Sequence, residues 1–227
     1  MCLILVAWRA RAGCPLVVAA NRDELHARPA LAADFWKDQP GILGGRDLEA
    51  GGSWMGTARS GRFAAVTNYR GGRDPAAKES RGALVTGFLS GNASASAYVN
   101  EVGKSRDGYS GFNFLAADRD ELWWLSNRGG DARRLEPGIH ALGNLLLDTP
   151  ELAGVKAEFA RVLESSIAPE PLFGVLESAK IIAPEYGTRC ATVLVRNAAG
   201  GALYAERAFD REGAAGQTAR FEFACAT

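Results

Sequence analysis

Cysteine is scarce in this chain. Four residues in 227 (Cys2, Cys14, Cys190 and Cys225) are too few and too scattered for a disulfide framework. No C-x-x-C or histidine-rich spacing offers a zinc site. Net charge is absent as well, since 26 basic residues balance 26 acidic ones. No electrostatic footprint therefore points to nucleic acid or an anionic membrane. No stretch approaches the ~20 apolar residues of a membrane span. The first apolar run lacks a basic segment ahead of it and is broken by Arg9 and Arg11, too early for a signal-peptide core. Repeats, low-complexity tracts and linkers are missing too. What remains reads as a cytosolic globular protein of one domain, residues 1–227, with 47% hydrophobic residues and length enough for a substantial core.

The most informative stretch is the first two dozen residues. Two apolar runs, Leu3 to Trp8 and Pro15 to Ala20, are parted by the Gly-bearing segment Arg9 to Gly13, the pattern of a β-hairpin. A turn centred near Ala12 places Cys2 opposite Arg22, with Cβ atoms within about 4.5–5.5 Å. Asp23 and Glu24 follow directly. Met1 ahead of a small residue is commonly trimmed, and its loss makes Cys2 the first residue. One residue then carries a sulfur nucleophile and an α-amine that titrates near pH 7.7–8.0, close to the optimum of a general base. A neighbouring Arg⁺ favours the reactive thiolate. The plain alternative is a cysteine that merely begins a buried strand.

Beyond the hairpin, residues 31–61 are rich in glycine and read as turns and close backbone approaches. Gly51-Gly52-Ser53-Trp54-Met55-Gly56 does not follow the strand, G-x-G-x-x-G, helix order of a dinucleotide fingerprint. Arg62 to Tyr69 reads as a strand ending at Asn68, with a turn over Arg70 to Pro75. Two helices follow, one capped by Ser80 and one by Asn92 or Ser94. Strand signals return at Gly111–Ala117, Glu121–Asn127, Arg133–Leu135 and His140–Leu142. A second helical pair covers Glu151–Ile167 and then Glu170 or Pro171 to Lys180. A hairpin across Ala198 to Gly201 and a last strand near Ala219–Ala224 end the chain. Antiparallel strands with helices inserted in pairs suggest stacked sheets covered by helices; strict β-α alternation is missing, which argues against a doubly wound parallel sheet.

Asn21-Arg22-Asp23-Glu24, followed by Arg28-Pro29, resembles the signature of the NRDE family, also called the transport and Golgi organisation 2 family. Similar segments run in order along the chain: Gly44-Gly45-Arg46-Asp47, Gly51 to Gly56, Thr67 to Arg70, Ser80-Arg81-Gly82, Gly111-Phe112-Asn113, Ser126-Asn127, Pro137 to Asn144, Leu147 to Pro150 and Gly187-Thr188-Arg189. Gly143 departs from the pattern, since family members often have serine there. The resemblance implies an α+β fold of the N-terminal nucleophile (Ntn) hydrolase type. That is a four-layer αββα sandwich of largely antiparallel sheets with helix pairs on the outer faces.

It also implies kinship with cysteine Ntn amidases of the penicillin V acylase and bile salt hydrolase type. Carried over by position, their catalytic set falls on Cys2, Arg22, Asp23, Asn68, Asn144 and Arg189. The implied chemistry is attack of the Cys2 sulfur on a small N-acyl amide, with no cofactor. The plain reading of the same residues is an ion pair at Arg22 and Asp23, turn residues at Asn68 and Asn144, and a strand-edge charge at Arg189. Family association with haem trafficking and lipid metabolism implies a second reading, a haem or acyl-lipid carrier, with His140 or His26 as the candidate axial ligand. Trp36, Trp54, Trp123 and Trp124 would wall its pocket. A third reading is a non-catalytic binding module for an acylated or CoA-like metabolite. No cluster of basic residues marks a nucleotide-phosphate site.

Overall fold

In the computed structural model, which describes residues 2–71 and 74–226, β1 (Leu3–Arg11) and β2 (Cys14–Leu25) form the expected hairpin. Leu3 stands opposite Asn21 and Trp8 opposite Leu16, and the register continued by one residue sets Cys2 across from Arg22. Gly13 closes the turn at φ +76°, a left-handed conformation that costs glycine no steric penalty. The fate of Met1, and the Gly72-Arg73 part of the turn expected after Asn68, lie outside the described residues.

The described chain falls into two compact units. The first takes the residues up to Arg28, then Pro137–Gly143 and Leu147–Ala224. Its antiparallel sheet has the order β10 (Gly138–Leu142), β1, β2, β11 (Tyr186–Arg196), β12 (Gly201–Phe209), β13 (Ala215–Ala224). Alternate residues of a strand share a face. Leu3, Leu5 and Ala7 of β1, Val17 and Ala19 of β2, and Ala191, Val193 and Val195 of β11 therefore form one apolar surface. Two helices cover it, α3 (Ala153–Ser165) and α4 (Pro169–Glu177), burying Phe159, Val162, Leu163, Leu172, Phe173 and Leu176. Each such side chain contributes about 1.5–3 kcal/mol by leaving water. Val155, Phe159, Val162 and Leu163 recur at the i, i+4, i+7, i+8 spacing of one helix face, and α3 buries that face with Val155 at its margin.

The second unit takes Pro29–Glu136, Asn144–Leu146 and the residues from Cys225 on. It is a seven-stranded antiparallel meander in chain order. The strands are β3 (Ala30–Phe35), β4 (Ile42–Asp47), β5 (Met55–Ala58), β6 (Phe63–Asn68), β7 (Phe112–Ala117), β8 (Leu122–Ser126) and β9 (Arg133–Arg134). Helices α1 (Arg81–Ser90) and α2 (Ala95–Ser105) cover one face through Leu84, Val85, Phe88, Val99 and Val102. Of the two caps proposed for α2, Ser94 makes the bond: its Oγ accepts the Ala97 N–H at 3.2 Å.

Residues 31–61 correct the sequence reading. They form three strands and not only turns, because glycine here serves close strand packing. A Cβ on Gly44 would stand 2.7 Å from the Met55 carbonyl oxygen and 3.1 Å from the Gly56 Cα on the facing strand. One on Gly45 would strike the Trp54 ring. Among the described residues, no helix is long and apolar enough to cross a membrane.

Candidate active site

The end of β2, in the first unit, is polar yet buried: Asn21, Arg22 and Asp23 are all shielded from solvent. Asn21 Nδ2 donates to the Leu176 carbonyl at 3.0 Å, fastening this strand end to α4. Cys2, half-buried, sits against the backbone of Asp23. Its Sγ accepts the Asp23 N–H at 3.4 Å and lies 3.4 Å from the Asp23 carbonyl oxygen. Burial pushes the Cys2 thiol up to about 11, and the Asp23 charge adds to the rise; the Asp23 N–H and Arg22 pull the other way without winning. At neutral pH the sulfur is therefore a thiol and needs a base before it can attack.

Arg22 is less dedicated to the sulfur than its register suggests. Its Nη2 lies 3.9 Å from Glu24 Oε2, which Arg28 Nε also approaches at 3.8 Å.

The start of β11 completes the constellation. Thr188 pairs with Asp23 and Cys190 with Arg22, so Arg189 is the extra residue of a β-bulge. Bulges re-aim a side chain near functional sites. Here Arg189 Nη1 donates to the carbonyls of Leu25 (3.0 Å), His26 (3.1 Å) and Arg28 (3.4 Å). It thus holds the loop that leaves β2. Two residues given no role by the sequence reading contact Asp23 directly. Thr188 Oγ1 donates to Asp23 Oδ1 at 2.6 Å, and Tyr186 Oη donates to the Asp23 carbonyl at 3.1 Å. Burial first, and then the neighbouring Cys2, Asp23 and Glu24, push the Tyr186 hydroxyl well above its ordinary range, so it remains a donor. The segment Gly187-Thr188-Arg189 was visible in the sequence; the bulge that sorts its side chains was not.

Of the six expected site residues, Cys2, Arg22, Asp23 and Arg189 come together in the first unit. Asn68 and Asn144 come together in the second, where Asn144 Nδ2 donates to the Asn68 carbonyl at 2.7 Å. The two histidines are both engaged in the scaffold. His26 Nε2 lies 3.1 Å from the Ala183 carbonyl, so the proton belongs on that nitrogen. His140 Nδ1 lies 3.1 Å from Asp148 Oδ2. Among the tryptophans, Trp36 Nε1 donates to the Gly44 carbonyl at 2.9 Å and Trp123 Nε1 to Glu121 at 2.8 Å. Among the described residues, no group of three or more His, Cys, Asp or Glu is placed to hold a metal ion.

Comparison with known proteins adds family and fold. The family profile described as transport and Golgi organisation 2 matches residues 1–184. The transport and Golgi organization protein 2 homolog of Homo sapiens is 31% identical over 253 residues, covering 92% of this chain and 92% of that protein. The Mus musculus homolog matches with the same identity and the same coverage. Among solved structures, the Caenorhabditis elegans ortholog of N-acylethanolamine-hydrolyzing acid amidase superposes with a TM-score of 0.56 at 13% identity, over 85% of this chain and 92% of that one. A mutant of the conjugated bile acid hydrolase from Clostridium perfringens gives 0.54 at 10% identity, over 98% and 92%. At such identities the likeness shows the fold alone, the Ntn-hydrolase-like α+β class that the sequence led us to expect. The profile match and the two mammalian relatives together establish that the chain belongs to the transport and Golgi organisation 2 family.

Proposed function

We propose that the protein is a cysteine Ntn amidohydrolase that cleaves a small N-acyl amide through Cys2 after loss of Met1. The observation that carries this reading is the placement of the Cys2 sulfur on the Asp23 backbone, beside buried Arg22 and Asp23. The neutral thiol gives its proton to the α-amine of Cys2 as sulfur attacks the carbonyl carbon. Asp23 holds the resulting ammonium. That proton passes to the departing amine as the carbon–nitrogen bond breaks, leaving a thioester. Water then attacks the thioester, releases the acid and returns the proton to sulfur. A hydrogen-bond donor to the developing oxyanion completes the reaction, a contact typically worth about 10²–10³ in rate. The names of the two structural neighbours, one acting on N-acylethanolamines and one on conjugated bile acids, support an acyl amide as the substrate class.

The test begins with the intact mass of natively expressed protein, followed by a screen of N-acyl amides against Cys2→Ala. Loss of Met1 and turnover abolished in Cys2→Ala are expected. Quantitative retention of Met1, or turnover that survives in Cys2→Ala, overturns the mechanism.

A further inference from the structure

We infer that Thr188 is the positioning residue of this site: its hydroxyl, oriented by the Ile181 N–H, locks the carboxylate of Asp23, the residue whose backbone N–H meets the Cys2 sulfur. The inference builds on the amidohydrolase reading, though its first readout does not depend on turnover. A hydroxyl has one proton and two lone pairs. The Ile181 N–H occupies a lone pair of Thr188 Oγ1 at 2.9 Å, and the proton goes to Asp23 Oδ1 at 2.6 Å. That length is typical of a hydroxyl donating to a carboxylate, a charge-assisted bond. The Thr188 N–H also donates to the Ile181 carbonyl at 2.9 Å, so backbone and side chain both clamp the threonine to that segment. Thr188 and Asp23 are 1% and 4% exposed, which leaves little room for water to replace the hydroxyl.

The remaining contacts fix Asp23 at its other atoms. Tyr186 holds its carbonyl and the Cys2 sulfur receives its N–H. Among the described residues, the charged and titratable groups around the thiol are Arg22 and Asp23 on β2, with Glu24 beyond them, and Tyr186 on β11. A carboxylate pinned in this place has two effects. It keeps the sulfur protonated until a base acts, and under the amidohydrolase reading it holds the ammonium that the α-amine becomes. Releasing it should make the thiol more reactive in isolation and the enzyme slower.

The experiment follows iodoacetamide alkylation of Cys2, by peptide mass, over pH 7–10 in the full-length wild type, Thr188→Val, Thr188→Ser and Asp23→Asn. Turnover of an N-acyl amide is measured beside it. One unit of thiol pKa changes the thiolate fraction tenfold, and lost nucleophilicity cancels about half of that on a logarithmic scale. Asp23→Asn should thus alkylate about threefold faster at pH 8, and Thr188→Val about twofold faster. Thr188→Val should also turn over about tenfold more slowly, with Thr188→Ser restoring both rates. If Thr188→Val fails to fold, Thr188→Ala is read in the same way. Alkylation of Thr188→Val at the wild-type rate across the range, or a serine variant as altered as the valine one, overturns the inference. Failure of the amidohydrolase reading has a separate signature: wild type and Cys2→Ala turn over alike, while the alkylation series still decides the role of Thr188.

Discussion

The side-chain amide of Asn144 donates to the backbone carbonyl of Asn68 at 2.7 Å, and the Arg70 N–H donates to the Asn144 carbonyl at 2.7 Å. The two asparagines therefore differ in kind. Asn144 contributes its side chain to the pair, whereas Asn68 contributes a carbonyl that any residue would keep. An amide nitrogen carries two hydrogens, so Asn144 retains a second N–H in an orientation fixed by the first. Within the second unit, the Asn144 side chain thus ties residues 144–146 to the end of β6.

Asn144→Ala should accordingly lower the urea midpoint at pH 7 by an amount corresponding to about 0.5–1.5 kcal/mol, the net worth of one hydrogen bond. Asn68→Ala should preserve the bond between the two residues and shift the midpoint less. Equilibrium urea unfolding of both variants beside the wild type would read the difference. A larger loss in Asn68→Ala would show that the Asn68 side chain, and not its carbonyl, holds the segment.

Asp148 offers a prediction about acid stability. It sits at φ +58°, where its Oδ1 accepts the Ala141 N–H (2.9 Å) and Lys156 Nζ (2.7 Å) and its Oδ2 faces His140. Burial disfavours its charge, but His140, Lys156 and the Ala141 N–H together hold its carboxyl well below the usual carboxylate range. A carboxyl depressed in the folded state contributes stability above its unfolded pKa of about 3.9, and that contribution fades as pH falls towards the folded value. Asp148→Asn keeps the shape and tolerates the left-handed backbone. It should lower the urea midpoint at pH 7 by an amount corresponding to about 1–2 kcal/mol, and flatten the decline of stability between pH 5 and 2. Parallel pH profiles for the two proteins would show that the charge is not what counts.

How far these features could be read from the sequence depends on the residues concerned. The hairpin was legible because Leu3 to Trp8 and Pro15 to Ala20 are unbroken apolar runs around one turn, and the register follows from the turn. The buried faces of α2 and α3 are legible because Val99 and Val102, and Phe159, Val162 and Leu163, recur at helical spacing. Strands β4 and β5 were not, because Gly44, Gly45 and Gly56 erase the alternation by which a strand is recognised, at places where the facing strand or the Trp54 ring leaves no room for a side chain. In the site, Cys2, Arg22 and Asp23 could be assembled from one hairpin. Thr188 and Tyr186 reach Asp23 from 165 and 163 residues away across a bulge, and no local pattern encodes that.

The same glycines give the most direct test of how β4 meets β5. A methyl group on Gly44 has only backbone to push against, the Met55 carbonyl oxygen at 2.7 Å and the Gly56 Cα at 3.1 Å, and backbone does not yield as a flexible side chain does. Overpacking of this kind costs about 1–3 kcal/mol. Gly103, inside α2, is the control, because a Cβ there meets nothing within 4 Å. Alanine is favoured over glycine in a helix interior by about 0.8–1.0 kcal/mol. With about 2–4 °C of melting temperature per kcal/mol for a chain of this size, Gly44→Ala should melt about 2–12 °C below the wild type. Gly103→Ala should melt about 2–4 °C above it. Two Gly→Ala substitutions of opposite sign separate the cost of crowding from any general effect of losing a glycine. A neutral Gly44→Ala would mean that the two strands can part at that point without loss.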